Sequence, residues 1–162
     1  MHTAVFFCDG WKILLHDREK NTYVLTVSGG SKGIRVPAGV ARMDIDNPLI
    51  RFFRLKRITP LLKDGAFVYT DGERLLKNKK LSIETRELIK QTLFQMDIFD
   101  TVACIPSYFR DDLLGILLLG KKNNNRKFRH REIDFLVALG SDVAMAIRNA
   151  QLFKELEQEI IK

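Results

Sequence analysis

The fold is decided by residues 102–120, which read VACIPSYFRDDLLGILLLG, and by residues 128–156, which read FRHREIDFLVALGSDVAMAIRNAQLFKEL. In the first segment two apolar runs flank the polar turn Arg110-Asp111-Asp112, which is typical of an antiparallel hairpin. In the second, apolar and small residues recur at three- and four-residue spacing on one helical stripe, namely Ile133, Leu136, Val137, Gly140, Val143, Ala144, Ile147 and Ala150. We therefore predict strand, turn, strand, basic loop and one long helix that packs on the sheet.

Further strands are predicted upstream of this hairpin. Trp11–His16 and Tyr23–Val27 are short runs of β-branched, aromatic and leucine residues, and the polar stretch DREKNT separates them. They should pair antiparallel. Phe67–Tyr69 is predicted to be a short strand, with an Asp-Gly pair on each side. The apolar run Ala4–Cys8 has two interpretations, a strand or the end of a docking helix. Together with the hairpin, these runs predict an α+β fold with a central antiparallel sheet.

Two shorter helices are predicted between the strands. Asn47 followed by Pro48 is a good helix start, and the apolar face that follows should continue until Thr59-Pro60. Ser82 caps the next helix. Its apolar face comprises Thr85, Leu88, Ile89, Thr92, Leu93 and Met96.

The net charge of +7 comes almost entirely from one loop. Residues 121–131 hold six of the 27 basic residues and none of the 20 acidic ones. A nucleic-acid-binding domain usually spreads its Lys and Arg along a recognition helix or a stripe with exposed aromatics. This cluster instead lies in an Asn-rich strand-to-helix turn, so we interpret it as a solvated loop and predict no nucleic-acid contact. Salt-dependent binding through Lys121–Arg131 is the alternative.

The sequence predicts no catalytic residue, no metal site and no cofactor. Cys8 and Cys104 are too few for a disulfide framework and lack the paired spacing of a zinc site. His2, His16 and His130 are scattered, and no Ser-His-Asp or Cys-His set is evident. Cys104 is interpreted as a small buried hydrophobe in a central strand, with a redox or adduct site as the alternative.

The chain is predicted to be soluble and cytoplasmic. The longest apolar run, Leu113–Leu119, is far shorter than the roughly 20 residues that a membrane helix needs, and no basic segment followed by an apolar run opens the chain. Two cysteines fit a reducing compartment. We expect this segment to make no membrane contact.

The pattern of the last helix changes after Ala150. Leu152, Leu156 and Ile160 recur every four residues among charged residues, as on a helix that seeks a partner helix. With Ile147, they are the predicted dimer and output contacts. The alternative is that the last apolar residues fold back on the domain surface. We accordingly predict one domain over residues 1–150, with residues 151–162 beginning an outgoing helix.

Several segments resemble GAF domains, a family of small sensory modules. These are Cys104-Ile105-Pro106, the strand LGILLLG at 114–120, the Phe128, Glu132, Ile133 and Leu136 pattern, and AMAIRNAQL at 144–152. Upstream, Ile13–Asp17 and Tyr23–Val27 are similar to the first two GAF strands. The likeness covers most of residues 11–156.

The resemblance implies a fold and a function. It implies about six antiparallel strands, terminal helices on one face, and a pocket on the other face beneath the middle helices and loops. The implied pocket residues are Val36, Phe67, Tyr69, Leu88, Thr92, Met96, Cys104, Pro106 and Tyr108. It also implies a homodimeric, non-catalytic sensor that belongs to a longer signalling protein, such as a histidine kinase or diguanylate cyclase, and that passes a small-molecule or partner signal to an output domain.

Departures from the family pattern argue against two kinds of ligand, cyclic nucleotides and bilins. Ile133 replaces the second acid of the cyclic-nucleotide signature, and neither cysteine has the neighbouring histidine of bilin-binding relatives. Two alternatives stay open. One is a free methionine sulfoxide reductase, which would need a second thiol close to the first, and the other is a dimerisation module without a ligand.

Overall fold

The computed structural model describes residues 8–29, 41–55 and 60–161. Six strands and four helices occupy these ranges. The strands are β1 (Trp11–Asp17), β2 (Thr22–Gly29), β3 (Arg42–Asp44), β4 (Phe67–Val68), β5 (Ala103–Phe109) and β6 (Asp112–Leu119). The helices are α1 (Pro48–Arg54), α2 (Tyr69–Leu76), α3 (Ile83–Ile98) and α4 (His130–Ile161).

All six strands form one sheet in the order β3-β2-β1-β6-β5-β4, and every neighbouring pair is antiparallel. Both predicted hairpins are present: β1 pairs with β2, and β5 pairs with β6 around the turn at Arg110 and Asp111. The β1–β6 pairing joins the two hairpins, although they are far apart in the chain. The predicted α+β fold is confirmed.

Both faces of the sheet are buried, each beneath different helices. Alternate residues of β5 show this, since Cys104 contributes to one core while Ala103 and Ile105 contribute to the other. The first core lies against α1 and α3 and contains the aromatic pair Phe52 and Phe67, whose ring centroids are 4.6 Å apart. The second lies against α4. This is the predicted arrangement of the middle helices and the terminal helix.

The predicted starts of α1 and α3 are confirmed. The Asn47 side-chain oxygen accepts a hydrogen bond from the Leu49 N–H at 2.9 Å, with Pro48 at the first helical position. The Ser82 hydroxyl oxygen accepts one from the Thr85 N–H at 3.1 Å. All six residues predicted for the apolar face of α3 are buried.

One predicted boundary is wrong, and one helix was not predicted. Helix α1 ends at Arg54, because Leu55 already adopts an extended conformation, rather than continuing to Thr59-Pro60. Helix α2 was not predicted; it begins at Tyr69 directly after the short strand β4. Gly72, the glycine of the second Asp-Gly pair that brackets the predicted strand, is buried within α2, where a Cβ atom would lie 2.8 Å from the side chains of Phe67 and Leu93. Its role is close packing, not chain reversal.

Helix α4 packs closely on the sheet at Gly140. The Ser107 hydroxyl donates a hydrogen bond to the Gly140 carbonyl at 3.1 Å, which is the close approach predicted from the small residues. The contact stripe is narrower than predicted, because Val143 and Ala150 are exposed whereas Ile133, Leu136 and Ala144 are buried. The sheet therefore leaves part of the apolar surface of α4 uncovered. Within the described residues, no helix is both long and apolar enough to cross a membrane.

The basic loop is not entirely solvated, which corrects its interpretation. Lys122 is buried, and its ammonium group lies 2.8 Å from Oε1 of Glu132. The same oxygen accepts a hydrogen bond from the Arg129 N–H at 2.9 Å, so Glu132 caps the first turn of α4 from within. Burial alone would raise the pKa of Glu132. The hydrogen bonds from Lys122 and Arg129 outweigh that effect and lower the pKa.

We expect Glu132→Gln to lower the free energy of unfolding by about 2 kcal/mol, because the buried Lys122 ammonium loses its anion. The matched control is Glu155→Gln on the same helix, where the ion pair with Arg18 is largely solvated and contributes about 0–1 kcal/mol. Urea denaturation of both variants measures the difference. Equal losses in the two variants would contradict the assigned role of Glu132.

The same pair has an expected pH dependence. A carboxyl whose pKa is lowered by folding stabilises the protein above its ordinary pKa, here 4.5, and loses that contribution as the pH falls through the lowered value. The stability difference between wild type and Glu132→Gln should therefore shrink below pH 4.5. Urea denaturation repeated across the acid range measures it.

Candidate ligand cleft and output helix

Most of the predicted pocket residues pack as core on one face of the sheet. Phe67, Leu88, Met96 and Cys104 are buried together between the sheet and the middle helices, and Pro106 is buried in β5. The Thr92 hydroxyl is satisfied by the Leu88 carbonyl at 2.7 Å. A ligand on this face has to displace these side chains. Val36 lies outside the described residues.

The two tyrosines of the predicted pocket are held by hydrogen bonds. The Tyr108 hydroxyl donates to the Phe53 carbonyl at 2.6 Å, and burial raises the pKa of Tyr108 to about 12. The Tyr69 hydroxyl, nearer the surface, donates to the Asp97 carboxylate at 3.1 Å. Tyr108 thus ties β5 to α1, whereas Tyr69 ties α2 to the end of α3.

A cleft of about 1030 Å³ opens at one end of the sheet. Its walls come from four segments: the start of β1, the β4–α2 junction, the end of α3 with the start of β5, and the loop after β6. Tyr69 and Met96 are the predicted pocket residues that also line it. The sequence gives no signal of the cleft, because its walls are distant in the chain and come together only through the order of the strands in the sheet.

The cleft offers mixed chemistry. Its cationic groups include Lys12, whose ammonium donates to the Phe99 carbonyl at 3.3 Å. Apolar walls are supplied by Val68, Val102 and Phe128. The remaining charged groups are Asp9, Asp97, Asp100, Lys121, Lys122, Arg126 and Lys127. An amphipathic small molecule with an anionic group fits this lining better than a purely apolar one.

The basic wall of the cleft is held in place by backbone contacts. The Asp9 N–H donates to the Lys121 carbonyl at 2.7 Å, and the Asn125 N–H donates to the Lys122 carbonyl at 2.9 Å. The Arg126 N–H donates to the Asn124 side chain at 3.0 Å. This loop leads directly into α4. The loop therefore connects the wall of the cleft to the start of the long helix.

The outer side of α4 is rich in exposed apolar residues. Phe153, Leu156 and Ile160 are 65%, 59% and 83% exposed, and the predicted contact Leu152 is also exposed. The predicted contact Ile147 is half-buried and belongs to the side that faces the domain. The exposed surface also starts earlier than predicted, since it includes Phe135, Leu139, Val143 and Met145.

Helix α4 continues without a break through Ala150. Beyond that residue, Glu155 still reaches the β1–β2 turn through an ion pair with Arg18 at 2.9 Å. The helix therefore lies beside the domain on one side as far as Glu155, while its opposite side is exposed.

The two cysteines lie in different cores. Cys104 belongs to the core beneath α1 and α3, whereas Cys8 belongs to the core beneath α4. Burial raises the pKa of both thiols, that of Cys8 to about 11. Because the sheet separates them, neither thiol is placed to resolve a sulfenic acid on the other.

Several solved structures with similar folds are GAF domains. A GAF domain from a Coxiella burnetii phosphoenolpyruvate-protein phosphotransferase is 20% identical, with a TM-score of 0.56 over 91% of this chain and 76% of that chain. A GAF domain/HD domain protein from Geobacter sulfurreducens is 18% identical, with a TM-score of 0.55 over 90% and 83%. The GAF domain of a two-component sensor histidine kinase from Bacillus halodurans is 18% identical, with a TM-score of 0.52 over 91% and 86%.

Comparison of sequences, unlike comparison of structures, finds no match for this chain. No protein-family model matches it, and no curated protein matches it. The likeness is therefore one of fold. On these structural grounds, this chain has the fold of a GAF domain.

Proposed function

We propose that this domain is a non-catalytic regulatory module that acts as a homodimer in the cytoplasm. It binds a small molecule or a partner. It transmits the signal through α4 to an output domain of a longer signalling protein, such as a protein of a two-component system. The exposed apolar face of α4 is the observation that carries the proposal. Such a face is rare on a monomeric protein and is typical of an interaction surface.

The spacing of this face supports a paired helix. One line of positions along α4 alternates steps of four and three residues, as in the heptad repeat of a coiled coil. It comprises Phe135, Leu139, Asp142, Ala146, Asn149, Phe153, Leu156 and Ile160. Six of these eight are apolar or alanine, and polar residues at the other two favour one register over its alternatives. We call this line the α4 seam.

Burial of the α4 seam between two copies of the helix would strongly stabilise a dimer. Burying a Phe, Leu or Ile side chain contributes about 1.5–3 kcal/mol, and each residue of a two-fold interface counts twice. A second copy of the same helix presents the matching seam. The pairing would extend alongside the domain, from Phe135 to Ile160, not only beyond Ala150.

The cleft is where we place the ligand. The loop that forms its basic wall leads into α4, and Lys122 of that loop is tied to Glu132 in the first turn. A ligand that moves the loop therefore shifts the start of a helix about 48 Å long. Since the packing of paired helices changes in discrete steps, a small shift at the start can alter the far end.

We expect the double variant Phe153→Glu/Leu156→Glu to weaken self-association at least about 100-fold, because four exposed apolar side chains per dimer become charged. Sedimentation equilibrium measures the association, and circular dichroism verifies that the fold is kept. The matched control is Ser141→Glu, which lies on the exposed part of α4 outside the seam. A wild-type monomer, or a double variant that dimerises as wild type does, would refute pairing through the seam.

The ligand is tested separately. Native mass spectrometry of freshly purified protein should show a mass excess that is lost on denaturation. Ile98→Trp narrows the cleft at the end of α3 and should abolish the excess, whereas Phe94→Trp, one turn earlier and outside the lining, should keep it. Retention of the excess in Ile98→Trp would remove the cleft as the site.

The non-catalytic assignment has its own test. Because Cys8 and Cys104 are buried and have raised pKa values, both thiols should react with a maleimide at least about 100-fold more slowly in the native protein than in urea. Mass spectrometry at timed intervals measures the two rates. Rapid native labelling, or turnover of free methionine sulfoxide that is lost in Cys104→Ser, would instead favour the reductase alternative.

A further inference from the structure

A histidine and two aspartates meet at the start of α4, away from the cleft lining. Asp64 precedes β4, while His130 and Asp134 occupy successive turns of the helix. Nδ1 of His130 lies 2.7 Å from Oδ2 of Asp64, and Nε2 lies 3.4 Å from Oδ2 of Asp134. One imidazole ring therefore has a carboxylate beside each of its nitrogens. No metal site was predicted from the sequence, because nothing in the chain order places Asp64 beside His130.

The two separations differ in chemical meaning. A distance of 2.7 Å is a strong charge-assisted hydrogen bond, in which the Nδ1–H donates to Asp64. A distance of 3.4 Å is longer than ordinary hydrogen bonds of this kind. It equals the edge of a tetrahedral site, because ligands bound at about 2.0–2.1 Å lie about 3.4 Å apart. Nε2 and the Asp134 carboxylate are thus spaced as neighbouring ligands of one ion.

The hydrogen bond to Asp64 determines which nitrogen of the His130 ring carries the proton. A proton on Nδ1 leaves the lone pair on Nε2, the nitrogen nearer Asp134. A carboxylate that accepts the second N–H of a ligating histidine is the usual outer partner in protein metal sites, where it orients the ring and raises its basicity. Asp64 is therefore a positioning residue, and His130 and Asp134 are the ligands.

The backbone supports this placement of Asp64. Gly65 has a φ of +82°, and a Cβ atom there would lie 3.3 Å from a methyl group of Val137 on α4. The turn can approach the helix this closely because residue 65 lacks a side chain. Asp64, with a φ of +56°, is held next to the first turns of α4. The cluster therefore joins two elements that are already in contact.

We propose that His130 and Asp134 bind a divalent transition-metal ion of the zinc class, with Asp64 orienting the imidazole. Water completes the coordination shell, since all three side chains are accessible to solvent. Two carboxylates offset the charge of the ion. The bound ion joins the turn before β4 to the start of α4. The site depends neither on the cleft ligand nor on pairing through the α4 seam.

The experiment is a ZnCl₂ titration of ¹⁵N-labelled protein at pH 7.5, followed through the imidazole nitrogen resonances. The chain has three histidines, and a His2→Gln background leaves His16 and His130 to be resolved. We expect Zn²⁺ to shift the His130 Nε2 resonance while Nδ1 stays protonated. The resonances of His16 should not shift, because the group 2.9 Å from its Nε2 is the side-chain oxygen of Asn21 and not a carboxylate.

Three variants separate the roles. Asp134→Asn should weaken Zn²⁺ binding at least about tenfold by removing a ligand, and Asp64→Asn should weaken it about 10–100-fold. Asp64→Asn should also change the His130 tautomer ratio before any metal is added, which a purely structural role would not do. Glu87→Gln, which changes an exposed acid on α3, is the control and should bind as wild type does.

The outcomes are distinct. No shift of His130 Nε2 at 1 mM ZnCl₂, or equal binding by Asp134→Asn and Glu87→Gln, would overturn the site. A shift of Nδ1 in place of Nε2 would overturn the assigned roles of Asp64 and Asp134. Since the variants change exposed side chains, their amide spectra should show that each remains folded.

Discussion

The burial of both faces of one antiparallel sheet is the constraint on which the rest of this structure depends. Strand β5 places Cys104 in one core and Ile105 in the other, so the strand is stable only when helices cover both sides. Helices α1 and α3 cover one side, and α4 covers the other. Every candidate functional feature follows from this layering: the packed inner face, the cleft at the end of the sheet, and the helix that extends past its edge.

The junction between the basic loop and α4 links these features. Glu132 binds the buried Lys122 ammonium and the Arg129 N–H through one oxygen, so loop and helix share a single anchor. The loop forms one wall of the cleft, and the helix carries the α4 seam. A domain that relays a signal needs such a connection between the surface that senses and the surface that responds. Lys122, one of the six basic residues that produce the charge excess, therefore has a structural role.

Local sequence signals were enough for most of the secondary structure. The Asn47-Pro48 start, the Ser82 cap and the six-residue face of α3 were predicted correctly, because helix capping and periodicity are local effects. The errors have tertiary causes. The Asp71-Gly72 pair is typical of a turn, but Gly72 lies inside a helix, because Phe67 and Leu93 approach it too closely for a Cβ atom. The predicted contact stripe of α4 included Val143, which is exposed because the sheet covers a narrower part of the helix.

By itself, the sequence determined the fold class, the two hairpins, the long terminal helix and the resemblance to GAF domains, since each rests on the order and periodicity of neighbouring residues. Only the tertiary structure decided which surfaces remain available. It packed the inner-face residues as core, assembled a cleft from four distant segments, and brought Asp64 to His130. The physical reason is that pairing β1 with β6 and packing α4 on β5 bring together residues whose separation along the chain carries no signal of their contact.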